Sequence, residues 1–267
     1  MTYETIRWER LEEVVRISHD RPRQRNAESA QLLAELDHAF AAAEADPDIR
    51  VVILAGVGDH FSAGHDLKEA EQTRSDLTTE QRWAFELQLY YGQALRLFDL
   101  RKPTIAQVQG ACIAGAFMLA NMCDLVVASE DAFFSDPVTH SLGAASVEVL
   151  IHPWVMGVRK SKEMLYTGEP MTAGEAHRIG LVNRVVARPE LEAETLALAQ
   201  RIAKAPPFAL ELVKRSLNRT LEMQGLKVAL QAHFDTHQLS HTAGGFRAAR
   251  DAGLGRAILS RPETHRQ

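Results

Sequence analysis

The run VVILAG at Val51 to Gly56 is apolar throughout, so as an extended segment it has no polar face to turn toward water. Continuous apolar runs of this length mark strands buried on both faces. The run leads into HFSAGHDL, a polar turn with a glycine and a histidine, and then into the charged LKEAEQ. The pattern recurs downstream, where TIAQVQG reads as strand, GAFMLANM as a short buried helix and DLVVAS as another strand. Between these units, Ala30 to Ala45 places Leu32, Leu33, Leu36 and Phe40 on one helical stripe ahead of the turn-forming DPD, and Glu80 to Leu100 is rich in helix formers. Strands alternating with helices predict an α/β fold. Near the N-terminus IRWE and VVRIS have β composition, separated by RLEE, and suggest a hairpin or adjacent strands. From about Ser161 the pattern turns mostly helical, with a break at Pro206-Pro207. The reading is an α/β core over residues 1–200 and a helical C-terminal region over residues 201–267, with no fixed-period repeat and no low-complexity segment.

Composition removes several function classes. Lys and Arg number 30 against 35 Asp and Glu, giving a net charge of −5, so no overall basic field exists to hold nucleic acid or an anionic membrane. No window approaches the roughly eighteen apolar residues of a membrane span. The N-terminal MTYETIRWERLEEVVRI carries four glutamates and lacks the apolar segment of a signal peptide and the acid-poor character of a transit peptide, so a cytoplasmic location is expected. Cys112 and Cys123 sit in apolar surroundings and read as reduced, buried thiols. No Cys/His spacing suggests a metal site, and no dinucleotide-binding or P-loop glycine pattern is present.

Two glycine-bearing turns concentrate the chemistry. Ala63-Gly64-His65 follows VVILAG, and Ile113-Ala114-Gly115-Ala116 follows TIAQVQG; each opens onto a helix-forming segment. Glycine lets backbone approach a ligand closely, and the first N–H groups of a helix lack intrahelical partners. Placed side by side, two such turns would aim two donors at one oxygen, which is an oxyanion hole. Tight packing alone also explains a strand–glycine–helix turn.

Four segments in unbroken order carry a resemblance: RPRQRNAESAQLLAELDHAF, HFSAGHDLKE, KPTIAQVQGACIAGAFMLANMCDLVVASEDAFFSDP and GVRKSKEMLYTGEPMTAGEAHRIGLVNRVV. Together they resemble the crotonase superfamily, also called the enoyl-CoA hydratase/isomerase family, from about Ile6 to Ser216. The resemblance implies a spiral of ββα units with a helical C-terminal region that drives assembly into trimers or paired trimers. It implies that the backbone N–H groups of His65 and Gly115 grip the thioester oxygen of an acyl-CoA, with Ala63, Gly64, Asp66 and Leu67 around the first turn. Coenzyme A is then part of the substrate, and no separate cofactor is expected. Arg23 and Arg25 lie near the segment that lines the CoA entrance in similar proteins, where cations meet phosphates; as solvated surface charges they need no function.

The departure from the family concerns proton transfer. Similar hydratases carry one glutamate three residues after the oxyanion glycine and another right after the proline of the SDP motif, and here those positions are Met118 and Val138. Hydration needs a base to activate water and an acid to protonate the α-carbon, and neither side chain can do either. Three nearby groups are candidates to replace them. Asp136 is one, although Asp before Pro commonly caps the following turn. His140, in the loop-like VTHSLG, is another, with a packed or exposed histidine as the alternative. Glu148 is the third, in ASVEVLIHPW, where Val147, Val149, Leu150 and Ile151 imply burial and a buried carboxylate must be paired or have a raised pKa. Trp83, Phe85, Tyr90 and Tyr91 occupy the stretch that covers the acyl pocket in the family, or else are plain core, and Asp124 reads as structural. Two classes therefore stay open: an acyl-CoA isomerase, lyase, hydrolase or unusual hydratase, and a non-catalytic acyl-CoA-binding member of the same fold.

Overall fold

The computed structural model of the protein describes residues 2–254, so the last part of the C-terminal region expected over 201–267 lies outside the described residues. Strands β1 (Ile6–Leu11) and β2 (Val14–His19) form an antiparallel hairpin. Helix α1 (Ala30–Ala45) has the bounds expected from its apolar stripe, and its first turn is capped by the Ser29 hydroxyl, which accepts from the Leu32 N–H. The chain continues through β3 (Val51–Gly56), α2 (Leu67–Thr73) and α3 (Thr79–Glu86), then a π-helical stretch (Leu87–Tyr91) and α4 (Gly92–Asp99). Next come β4 (Thr104–Val108), β5 (Ala111–Ile113), α5 (Gly115–Met122), β6 (Leu125–Ser129), β7 (Phe133–Ser135), α6 (Val138–Leu142) and α7 (His152–Thr167). After β8 (Met171–Thr172), α8 (Ala173–Arg178) and β9 (Arg184–Val186), four helices complete the order: α9 (Leu191–Ala203), α10 (Pro207–Met223), α11 (Leu226–Ser240) and α12 (Gly244–Ala252).

Six strands make one sheet in the order β1-β2-β3-β4-β6-β9, parallel from β2 onward, and β5-β7-β8 make a second, smaller one. The apolar run of β3 is explained by what covers it. Val52 and Leu54 face the main core with α1 and α5, whereas Val51, Ile53 and Ala55 face a second layer built with Leu191, Ala199 and Ala203 of α9. Period-2 alternation thus delivers apolar side chains to both faces, and neither face can afford a charge. Both cysteines are buried and free. Asp124 accepts from the Thr104 N–H and pairs with Lys214 of α10 at 2.8 Å, tying the helical region to the sheet.

The two glycine turns are held side by side by backbone. Ser62 N–H donates to Ala111 and Ile113 N–H donates to Ser62, so residues 61–63 run beside β5 like an extra strand. Asn26 anchors this join from the α1 side. Its buried amide donates to the carbonyls of Val57, His60 and Phe61, and its oxygen accepts from the Arg21 N–H. Asn26 also has φ of 55°, a left-handed conformation that asparagine tolerates better than most residues. Replacing Asn26 with Ala leaves several backbone groups without partners, and should lower unfolding free energy by about 2–4 kcal/mol. A urea midpoint equal to that of wild type would show that this amide does not hold the turn.

Candidate active site

At the join, Gly64 has φ of 79°, and a Cβ there would strike the Ile113 carbonyl and crowd the Gly115 N–H. A side chain at this position would push the two turns apart, which is the physical reason for the glycine. The Glu28 and Asp66 backbone bonds straddle His65: Glu28 N–H donates to Gly64 and Asp66 N–H donates to Glu28. The His65 N–H is left without an acceptor among the described residues, as is the N–H of Gly115 at the first position of α5. Two adjacent, unsatisfied donors are what an oxyanion hole requires.

The His65 ring has a second task. It lies against Gly115, where any Cβ would overlap the ring and Glu28 Oε2. Its Nε2 meets both oxygens of Glu148, at 2.9 and 3.0 Å, and its Nδ1 meets Glu28 Oε2 at 3.3 Å. Tyr90 stacks on the ring at 3.9 Å between centroids, and Arg74 donates to the Tyr90 hydroxyl. Burial opposes the imidazolium, yet the Glu148 carboxylate overrides it and holds His65 well above its ordinary pKa. Burial likewise works to raise Glu148, and the His65 charge more than offsets it, leaving Glu148 below the usual carboxylate range. Glu28 is different: burial outweighs its contact with His65 and pushes it up.

Glu148 and His65 line a cavity of about 100 Å³ together with Ala63, Leu67, Ala114 and Val138. Helix α11 forms part of its wall and holds the irregular segment carrying Glu148. His237 Nδ1–H donates to the Ser146 carbonyl, His233 Nε2–H donates to the Val147 carbonyl, and the Ser240 hydroxyl accepts from the Ala145 N–H. Beyond Glu148 the same wall carries Glu86, His237 and His241. Arg82 and the Gln238 amide donate to Glu86, and burial lowers His241 to about 4.

Similarity to known proteins shows the family. The enoyl-CoA hydratase/isomerase family model matches residues 9–247. The chain belongs to that family. A crystal structure of an enoyl-CoA hydratase/isomerase from Xanthobacter autotrophicus Py2 is similar over 100% of both chains, with 37% identity and a TM-score of 0.91. A Mycobacterium smegmatis structure provisionally described as an enoyl-CoA hydratase is 44% identical, with a TM-score of 0.86 over 95% of this chain and 98% of the other. A Mycobacterium tuberculosis protein provisionally named enoyl-CoA hydratase EchA13 is 42% identical over 91% of this chain and 82% of its own length. The fold is therefore the crotonase-type mixed α/β fold with a helical C-terminal region.

Within this enoyl-CoA hydratase/isomerase framework the candidate residues separate. His65, Ala63, Leu67, Val138 and Glu148 meet at the cavity, with Gly64 and Gly115 shaping the turns behind it. Asp66 serves as the N-cap of α2 and pairs with Arg21 at 2.9 Å. Met118 is fully buried in α5 and does not reach the cavity wall. Asp136 is also buried away from it: the carboxylate accepts from the Val138 N–H and the Ser146 hydroxyl and lies 3.2 Å from His152. Burial would raise Asp136, but the His152 ring and these bonds hold it below the usual range. His140 is exposed on α6, and Arg23 and Arg25 are exposed outside the cavity. Glu148 does not lie on a helix, since α7 begins only at His152. The sequence reading missed Glu28, Glu86, His237 and His241. The last two carried a signal, because His233, His237 and His241 recur every four residues on one helix face.

The opposed pKa shifts define a pH window. Glu148, lowered in the fold, contributes fully above its unfolded value of about 4.3 and loses this as pH falls through its folded value. His65, raised in the fold, contributes fully below about 6.5 and loses this as pH rises through its higher folded value. The unfolding free-energy difference between wild type and the double variant His65→Phe/Glu148→Gln should be greatest between these pH values and shrink on both sides. A difference that does not change with pH would rule out the charged pair.

Proposed function

We propose that this protein is an enzyme that binds an acyl-CoA thioester with its carbonyl oxygen between the N–H groups of His65 and Gly115, and moves protons on the acyl chain with Glu148. The observation that carries this reading is the Glu148 carboxylate, held by His65 on the wall of the cavity that the two turns enclose. Negative charge that develops on the thioester oxygen during enolisation would meet two preorganised donors, worth roughly 3–4 kcal/mol in a dry site. The neighbouring imidazolium fixes the direction of the carboxylate. Removal of an α- or γ-proton and its return to another carbon needs only one such base, so a double-bond shift or a related enolate reaction suits the site better than hydration. Hydration asks for two proton-transfer groups, and Met118 and Val138 stand where the family resemblance puts the hydratase glutamates.

Assembly as a homotrimer or a pair of trimers belongs to the same reading. Helix α10 buries only Lys214 and leaves Phe208 68% exposed, Leu212 44% and Met223 89% on one side, an apolar face that a second chain would cover. Sedimentation should give a trimer or hexamer at micromolar concentration; a strict monomer would remove the assembly claim and leave the fold untouched.

Turnover of a panel of acyl-CoA thioesters, followed by mass spectrometry in deuterated water, tests the chemistry. Deuterium incorporation or isomerisation is expected, and Glu148→Gln should lower it by about 10²–10⁴-fold. Crotonyl-CoA hydration should fall at least about a thousandfold below that of a relative with two glutamates. Rapid hydration by wild type would overturn the proton-transfer assignment, while tight acyl-CoA binding with no turnover of any thioester would favour a binding protein.

A further inference from the structure

We propose that Glu86, His237 and His241 form a site for one divalent transition-metal ion of the Zn²⁺ type on the cavity wall. The Glu86 carboxylate, at the end of α3, faces His237 on α11 and, one turn on, His241 at the C-cap of that helix. His237 Nε2 lies 3.4 Å and His241 Nδ1 3.8 Å from Glu86 Oε2, and the three ligand atoms all fall within 4.8 Å of one another. Metal bonds of about 2.0–2.2 Å at tetrahedral angles draw ligand atoms to roughly 3.4 Å apart, so side-chain movements of an ångström or less close the site.

Three further observations support a ligand role over simple packing. Both His237 Nε2 and His241 Nδ1 are buried without a hydrogen-bond partner, a costly state that coordination would relieve. His237 Nδ1–H is committed to the Ser146 carbonyl at 3.0 Å, so Nε2 is the nitrogen that faces Glu86; burial opposes a proton there, the Glu86 and Glu148 carboxylates favour it, and a metal ion would take the place of that proton. Metal-ligating histidines are oriented in this way by a backbone carbonyl on the other nitrogen. The Gln238 amide, which donates to Glu86 Oε2 at 2.6 Å, steadies the carboxylate in the same manner. Two imidazoles and one carboxylate suit Zn²⁺, Co²⁺ or Fe²⁺ better than Ca²⁺ or Mg²⁺, which prefer oxygen. Arg82, 3.3 Å from Glu86 Oε1, opposes the ion, and Glu148, 3.9 Å from His237 Nε2, favours it.

All three ligands border the cavity, so three protein ligands leave the remaining coordination positions open toward the acyl pocket. A water molecule or an oxygen on the acyl group could complete the shell there. This site stands independently of the acyl-CoA reading, because metal binding can be measured with no thioester present.

The test uses the untagged full chain, stripped with a chelator and titrated with Co²⁺, whose visible absorption reports a site with nitrogen and carboxylate ligands. One equivalent per chain should bind, Zn²⁺ should displace it, and His241→Gln and Glu86→Gln should each weaken binding at least tenfold. His241 makes no hydrogen bond through Nδ1, so His241→Gln should keep the wild-type thermal midpoint and separate loss of a ligand from loss of fold. If that variant melts early, His241→Asn provides the second reading under the same criterion. Absence of saturable Co²⁺ binding up to millimolar concentration, or equal binding by folded variants and wild type, overturns the proposal.

Discussion

A carboxylate taken out of water must find a positive partner or give up its charge, and three glutamates among the described residues are buried, Glu86 and Glu148 on the wall of one cavity and Glu28 behind His65. His65 settles Glu148 but not Glu28, which burial pushes toward its neutral form. Its ring reaches Glu148 on one side and Glu28 on the other, and Tyr90 covers its face. The third, Glu86, is answered by Arg82 and His237. The result is an alternating run of acids and bases, from Glu28 through His65, Glu148 and His237 to Glu86, in which each group sets the protonation of the next. The geometry of the oxyanion turns depends on this run, since the His65 ring occupies the space beside Gly115 that a side chain there would have taken.

How much of this was legible depended on how local the cause was. The α1 and α5 segments and the β3 run were readable because apolar spacing acts within one element. Glu148 was readable as a buried carboxylate from its apolar neighbours alone. Glu28 was not, because it sits in the polar stretch RPRQRNAES and its burial comes from packing against a turn 37 positions later. Asp136 and Glu148 looked alike in sequence, but Asp136 bonds back to Val138 and Ser146, as its turn-capping alternative foresaw, whereas Glu148 faces the cavity. The His233, His237 and His241 stripe was visible as spacing, yet its meaning depended on Glu86, 151 positions before His237, and on the 145–147 backbone.

Family membership and local chemistry also separate here. The fold follows that of enoyl-CoA hydratase/isomerase structures, and the chain matches that family over residues 9–247. The groups that line the cavity are a histidine at the first turn, a valine opening α6, the Glu148 and Glu86 carboxylates, His237 of α11 and His241 at the C-cap of that helix. A shared scaffold fixes where a carbonyl can be polarised, and the surrounding side chains decide what happens next.

Helix α11 holds the Glu148 segment by three hydrogen bonds on its inner face while Val228 and Leu239 stand exposed on its outer side. One rigid rod therefore presents a surface to the outside and a grip to the inside. Free energy spent on either side is shared by both: whatever settles against the outer surface narrows the positions open to the Glu148 carboxylate, and a ligand that fixes the carboxylate returns the same increment of affinity to the outer contact.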